Sequence, residues 1–105
     1  DDQIVPILSL GGKGVISVLS NVLPRETHDL CQLCLDGNFK DAADMQLKYL
    51  KFINTLFCEV NPIPVKAGME LLGLCSDEVR LPLAKADERV RTKVAEALRG
   101  LGMLS

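Results

Sequence analysis

The sequence predicts a mainly α-helical chain of about five helices and one short strand, the strand being of the kind that belongs to an α/β sheet. Three observations carry this. Apolar residues recur at helical spacing through most of the 105 residues. Pro, Gly, Asn and Asp stand where helices start and stop. One run, Gly14-Val15-Ile16-Ser17-Val18-Leu19, is apolar on both faces and largely β-branched, as a strand buried on both sides of a parallel sheet is.

Taken in order, Asp1 or Asp2 can N-cap a helix running to about Leu10, with Ile4, Ile7 and Leu8 on one face and Pro6 early enough to do little harm. Gly11-Gly12 stops it. The strand Gly14 to Leu19 follows, and Ser20-Asn21 with Pro24 opens a helix from about Arg25 to Asp36, closed by Gly37. Asn38 is placed to cap the longest helix, Phe39 to about Glu59. Its apolar residues form two stripes: Phe39, Ala43, Leu50, Ile53 and Phe57 on one, Ala42, Met45, Tyr49, Phe52 and Leu56 on the other. So wide an arc implies burial on more than one side. Asn61-Pro62-Ile63-Pro64 breaks that helix, because Pro64 disfavours the α region at Ile63. A fourth helix runs from about Pro64 to Leu72, ended by Gly73. Arg80-Leu81-Pro82-Leu83 is extended, and Asp87 caps a last helix to about Arg99 with Val90, Val94, Ala97, Leu98 and Leu101 on its buried side.

A single doubly buried strand has two rows of backbone donors and acceptors, and no second run of comparable strand character exists here to pair them. The order helix, Gly turn, strand, helix is the repeat of an α/β barrel or open α/β sheet. With Asp1-Asp2 at its start and neither an initiator Met nor a basic-then-apolar leader, the chain reads as a piece of something longer.

Composition narrows the function. Twelve Lys and Arg against fourteen Asp and Glu give a net charge of −2, with one Tyr, three Phe and no Trp. A nucleic-acid binder would show a basic stripe interleaved with aromatics, so no such partner is expected. No apolar run approaches the roughly 20 residues that span a bilayer, so no membrane partner is expected either. Cys31, Cys34, Cys58 and Cys75 read as reduced thiols of a cytosolic protein. His28-x-x-Cys31-x-x-Cys34 drifts around a helix and has no partner cluster to complete a zinc site, and a redox CxxC would sit at a strand-to-helix junction instead of mid-helix. Gly11-Gly12-Lys13-Gly14 lacks the Ser or Thr and the following helix of a phosphate loop, and reads as a tight turn with a solvated Lys13. The carboxylate pairs Asp1/Asp2, Asp77/Glu78 and Asp87/Glu88 stand at helix starts and complement the dipole. Lys66 reads as a surface lysine whose stem lies along apolar surface. No nucleophile, base and orienter come together, and no catalytic or metal-binding residue is assigned.

Four segments take the reading further: Asp1-Asp2 ahead of a helix, GGKGVISV (Gly11 to Val18) running into SNVLP (Ser20 to Pro24), EVNPIPVK (Glu59 to Lys66), and RLPL (Arg80 to Leu83). In this order and spacing they resemble the C-terminal third of the dihydrodipicolinate synthase family, and the likeness covers essentially the whole chain. GGKGVISV alone fits the wider group of pyruvate-dependent aldolases, which includes N-acetylneuraminate lyase; NPIPVK followed by RLPL is more specific to the synthase branch.

That resemblance implies a (β/α)8 TIM barrel followed by a small helical domain, so that residues 1–37 hold the last helix-strand-helix portion of the barrel and residues 38–105 the appended helices. Gly14 to Leu19 becomes the eighth strand, and barrel active sites lie at the C-terminal ends of the strands. The family's Schiff-base lysine, proton-relay tyrosine and Gly-Thr-Thr-Gly-Glu loop are absent from this chain, and Tyr49 matches none of its motifs. Ile16 matches the isoleucine whose backbone carbonyl lines the pyruvate pocket, and is the one substrate-binding residue carried over. The resemblance further implies condensation of pyruvate with L-aspartate semialdehyde on the route to lysine and diaminopimelate. It implies no metal or redox cofactor, a cytoplasmic homotetramer with Ile4 to Leu10 near one subunit interface, and no catalysis by these 105 residues alone. The competing readings are a sister aldolase of the N-acetylneuraminate lyase kind and a non-catalytic helical oligomerisation module.

Overall fold

The computed structural model describes all of residues 1–105 and contains six helices and no strand: α1 (Ile4–Ser9), α2 (Leu19–Val22), α3 (Pro24–Leu35), α4 (Phe39–Leu56), α5 (Ile63–Leu71) and α6 (Glu88–Gly100). Two compact units are resolved, Asp1–Ile53 and Asn54–Ser105. No helix is long and apolar enough to cross a membrane.

In the first unit α1 and α2 both pack on α3. Its core joins Ile4 and Leu8 of α1, Leu30 and Cys34 of α3, and Ala42 of α4, with Val5, Cys31, Leu33 and Met45 packed around them. Helix α3 begins with Pro24 at its first position, where the missing N–H belongs to the first turn and would have no intrahelical partner. It ends where Gly37 takes φ +81°, letting Gly37 and Asn38 donate back to the carbonyls of Cys34 and Leu33. Asn38 does cap α4: its Oδ1 accepts from the Asp41 N–H at 3.4 Å while its Nδ2 donates to Asp41 Oδ2 at 2.9 Å. Of the two stripes on α4, the one holding Ala42, Tyr49, Phe52 and Leu56 is buried together with Ile53, whereas Phe39 and Phe57 are exposed.

The strand expected over Gly14 to Leu19 does not form. Residues 12–17 run as irregular backbone, and Leu19 starts α2, an extra helix. A strand exists only through its neighbours' hydrogen bonds, and nothing in these residues offers a partner ladder. The start of α1 also differs. Gln3, not Asp1 or Asp2, is the N-cap, and its side chain makes no capping bond.

In the second unit α5 packs on α6. Ile63 is helical although the following Pro64 disfavours the α region there; Pro64 itself stands in the first turn, where its missing N–H costs no intrahelical bond. Gly73, at φ +75°, closes α5. Asp87 caps α6 as expected, its Oδ1 accepting the Val90 N–H at 2.9 Å. Val90, Val94, Ala97 and Leu98 form the buried stripe of α6, with Leu98 and Val94 fully inaccessible. The loop leading to α6 is held by an ionic cluster: Arg91 Nη1 lies 3.0 Å from both Glu70 Oε1 and Asp77 Oδ2, and Lys85 Nζ lies 3.3 Å from Asp77 Oδ1.

Candidate functional site

The turn after α1 is built from Gly11, at φ +106°, and Gly12. The Gly12 N–H donates to the Ile7 carbonyl at 3.1 Å, and a Cβ on Gly12 would stand 3.0 Å from that same oxygen. A side chain there meets backbone, so this glycine is required by close approach. The motif is therefore a chain reversal, as its order of residues predicts, and it delivers residues 14–17 back beside α1.

The returning segment exposes Val15 and leaves Ile16 fully accessible. Its far end is pinned by Asp1. The Val18 and Leu19 N–H groups both donate to Asp1 Oδ2, at 3.0 and 2.9 Å. These are donors at the start of α2 with no intrahelical acceptor, so the carboxylate does for α2 what it was expected to do for α1. Further along the turn, Ser17 Oγ accepts from the Ser20 N–H at 3.0 Å, Ser20 Oγ donates to the Ser17 carbonyl, and Asn21 donates twice to the Val18 carbonyl. Between α1 and the returning segment lies a cavity of about 250 Å³ lined by Asp1, Gln3, Ile4, Ile7, Gly14, Val15 and Ile16. The second carboxylate oxygen of Asp1, Oδ1, is buried and has no hydrogen-bond partner.

Gln46 of α4 completes the arrangement. It is buried, its Oε1 accepts from the Val5 N–H at 3.2 Å, and its Nε2 donates to the Asp1 carbonyl at 3.1 Å. Sequence reasoning missed this residue. A signal was available: Gln46 falls four residues after Ala42 and three before Tyr49, on the buried stripe, and a polar residue there has to find partners.

The remaining chemistry-bearing residues do not converge. A second cavity, of about 290 Å³, is lined by Val15, Ser17, Ser20, Pro24, Thr27, His28 and Cys31. His28 is exposed, with Nδ1 3.3 Å from Asp29 Oδ1. Burial pushes the Cys31 and Cys34 thiols up, Cys34 further through its neighbour Cys31, which keeps both protonated and poorly nucleophilic. All four cysteines are free; Cys58 and Cys75, unlike the other two, are exposed. No three His, Cys, Asp or Glu side chains gather as a metal site. Lys66 is half-buried in α5, and Tyr49 is buried in α4 beneath the Lys48 ammonium, 5.3 Å from its ring centroid. A hollow of about 450 Å³ lies in the second unit among Glu59, Ile63, Pro82, Lys85 and Val90. It is larger than the cavity at Ile16, but none of the residues lining it carries a buried side-chain polar atom without a partner, as Asp1 does.

Comparison with known proteins agrees with the sequence pattern. Residues 1–101 match the model of the dihydrodipicolinate synthetase family. The 4-hydroxy-tetrahydrodipicolinate synthase of Alkaliphilus oremlandii is 50% identical over 99 residues, 94% of this chain and 34% of the relative. The crystal structure of dihydrodipicolinate synthase from Thermotoga maritima superposes with a TM-score of 0.95 at 39% identity, over 98% of this chain and 35% of that one. The chloride-inhibited enzyme from Acinetobacter baumannii, solved with pyruvate, superposes with a TM-score of 0.94 at 32% identity, over 98% of this chain and 35% of that one. The 105 residues thus span about a third of the length of the relatives they match.

Proposed function

Because the chain belongs to the dihydrodipicolinate synthetase family, we propose that it is the C-terminal part of a 4-hydroxy-tetrahydrodipicolinate synthase, the enzyme that condenses pyruvate with L-aspartate semialdehyde on the route to lysine and diaminopimelate. Residues 1–37 are the closing helix-strand-helix portion of its TIM barrel, and residues 38–105 its helical domain. The observation that carries this reading is the accessible, unpaired Gly14–Ile16 segment beside the Asp1 cavity. It has the apolar character of a buried parallel strand and lacks only neighbours, which the rest of a barrel supplies.

In this reading Ile16 presents its backbone carbonyl to the pyruvate pocket and accepts a hydrogen bond near the reacting carbon. The lysine amine that condenses with the pyruvate carbonyl, releasing water, comes from outside these residues, as does the relay tyrosine. The chain by itself is inactive. It needs no metal or redox cofactor, works in the cytoplasm, and assembles as a homotetramer. Leu10, 89% exposed at the end of α1, stands on the surface assigned to one subunit interface.

Borohydride trapping tests the reading. A full-length polypeptide carrying this segment is expected to bind pyruvate covalently on reduction, and the 105 residues alone are expected not to. A full-length protein that traps no pyruvate overturns the proposal. One that traps pyruvate but turns over only another aldehyde assigns the chain to a sister aldolase.

A further inference from the structure

Both short helices around the Ile16 segment lack a cap of their own. Neither Gln3 at the start of α1 nor Val18 at the start of α2 makes a side-chain capping bond. Apart from the Ser20 N–H, which Ser17 Oγ takes locally, the N–H groups bonded at these starts are taken by two residues from elsewhere. Gln46 accepts from Val5, and Asp1 Oδ2 accepts from Val18 and Leu19. The two are linked, because the Gln46 amide also donates to the Asp1 carbonyl. One buried carboxamide, with both ends of its amide engaged, therefore fixes the main chain of Asp1, and the Asp1 side chain fixes the backbone two residues beyond Ile16.

We propose that Gln46 is a positioning residue for the pyruvate pocket, acting through Asp1 to set where the Ile16 backbone stands. The inference rests on the assignment of Ile16 made above. Gln46 touches no substrate; its effect passes through two hydrogen-bonded steps. Residues 12–17 have no ladder within this chain; in the barrel proposed above neighbouring strands supply one, and the contacts at the ends of the segment set where it terminates beside the pocket. The Gly12 turn pins one end and Asp1 the other. A carboxylate accepting two backbone N–H bonds on one oxygen is a stiff tether, since charge-assisted bonds are shorter and stronger than neutral ones. The Gln46 contact to its carbonyl is a buried hold on the position of Asp1 itself.

The test uses the full-length polypeptide carrying this segment. Gln46→Met keeps the volume and loses both hydrogen bonds. It is expected to raise KM for pyruvate about tenfold while leaving kcat within about threefold, the signature of a displaced binding group. Asp1→Ala is expected to do the same, and Asp1→Asn, which keeps an acceptor for Val18 and Leu19, to restore most of the affinity. Amide exchange at Val18 and Leu19 should quicken in Gln46→Met and Asp1→Ala. An unchanged KM for pyruvate in Gln46→Met, with only a lower melting temperature, overturns the proposal and leaves Gln46 a purely structural residue. Should Gln46→Met fail to fold, the Asp1→Ala and Asp1→Asn pair decides: rescue by Asn upholds the relay and no difference between the two overturns it. If the parent protein traps no pyruvate, the functional reading falls separately, and exchange at Val18 and Leu19 judges the relay: protection lost in Gln46→Met upholds it, protection retained overturns it.

Discussion

The two units differ in how far along the chain they reach for partners to the unsatisfied backbone at helix starts. In Asn54–Ser105 the solution is local: Asp87 caps α6 from the adjacent position, and the loop before it is tied by Arg91, Glu70, Asp77 and Lys85 within one cluster. In Asp1–Ile53 it is local at α4, through Asn38, and for the Ser20 N–H, through Ser17 Oγ, but otherwise distant at α1 and α2. The start of α2 is satisfied by Asp1 and the start of α1 by Gln46, across 18 and 41 residues of chain. Both units leave large apolar side chains exposed, Leu74 and Leu81 in the second and Ile7, Leu10, Val15 and Ile16 in the first, but in the first Ile7, Val15 and Ile16 line a cavity with Asp1, whose buried Oδ1 has no partner. Exposed apolar residues mark a surface available for interaction, and in the first unit that surface adjoins the candidate site.

The comparison can be broken at several points, in decreasing order of effect. Truncating a fully buried core residue should cost each unit about equally. Leu30→Ala in the first and Leu98→Ala in the second are each expected to lower stability by about 2–5 kcal/mol, read from urea unfolding. A unit that barely responds would have no core of its own. Asp1→Ala removes the acceptor of two N–H groups and should cost about 1–2 kcal/mol, with faster amide exchange at Val18 and Leu19. Asp87→Ala removes one capping bond and should cost about 1 kcal/mol, seen as fraying of the first turn of α6.

The fourth expectation concerns pH. Burial alone would raise the Asp77 carboxyl, but hydrogen bonding with Glu70 and Lys85 and the Lys85 and Arg91 charges outweigh it and hold the group below its ordinary value of 3.8. A carboxylate lowered on folding contributes stability that is present above that ordinary value and is lost as the pH falls through the folded one. Acid titration should therefore loosen the loop before α6 below about pH 4, and Asp77→Asn should remove that acid sensitivity. The smallest effect belongs to Ile16→Ala, expected within about 0.5 kcal/mol of the parent because the side chain is fully accessible. A larger loss would mean that the segment packs within the chain.

How much of this was legible follows from the range of each interaction. Pro24, Gly37, Asn38, Gly73 and Asp87 bound the helices where expected, since capping and positive φ act over three or four residues and are written in residue type. The stripe of α6 and one of the two on α4 were visible for the same reason, although Phe39 and Phe57 of the other are exposed and α4 breaks off at Leu56, three residues short of the expected end. The family resemblance placed Ile16, and the structure puts it beside Asp1 at one cavity.

What the sequence by itself determined is five of the six helices, most of their starts and stops and the main buried stripes of α4 and α6, because each is decided by neighbours close along the chain. Only the tertiary structure decided that Gly14 to Leu19 is not a strand here, that Asp1 serves α2 instead of α1, and that Gln46 is buried. A strand depends on a partner ladder. A buried polar side chain depends on donors and acceptors that only folding brings within 3 Å or so. No pattern of nearby residues records either one.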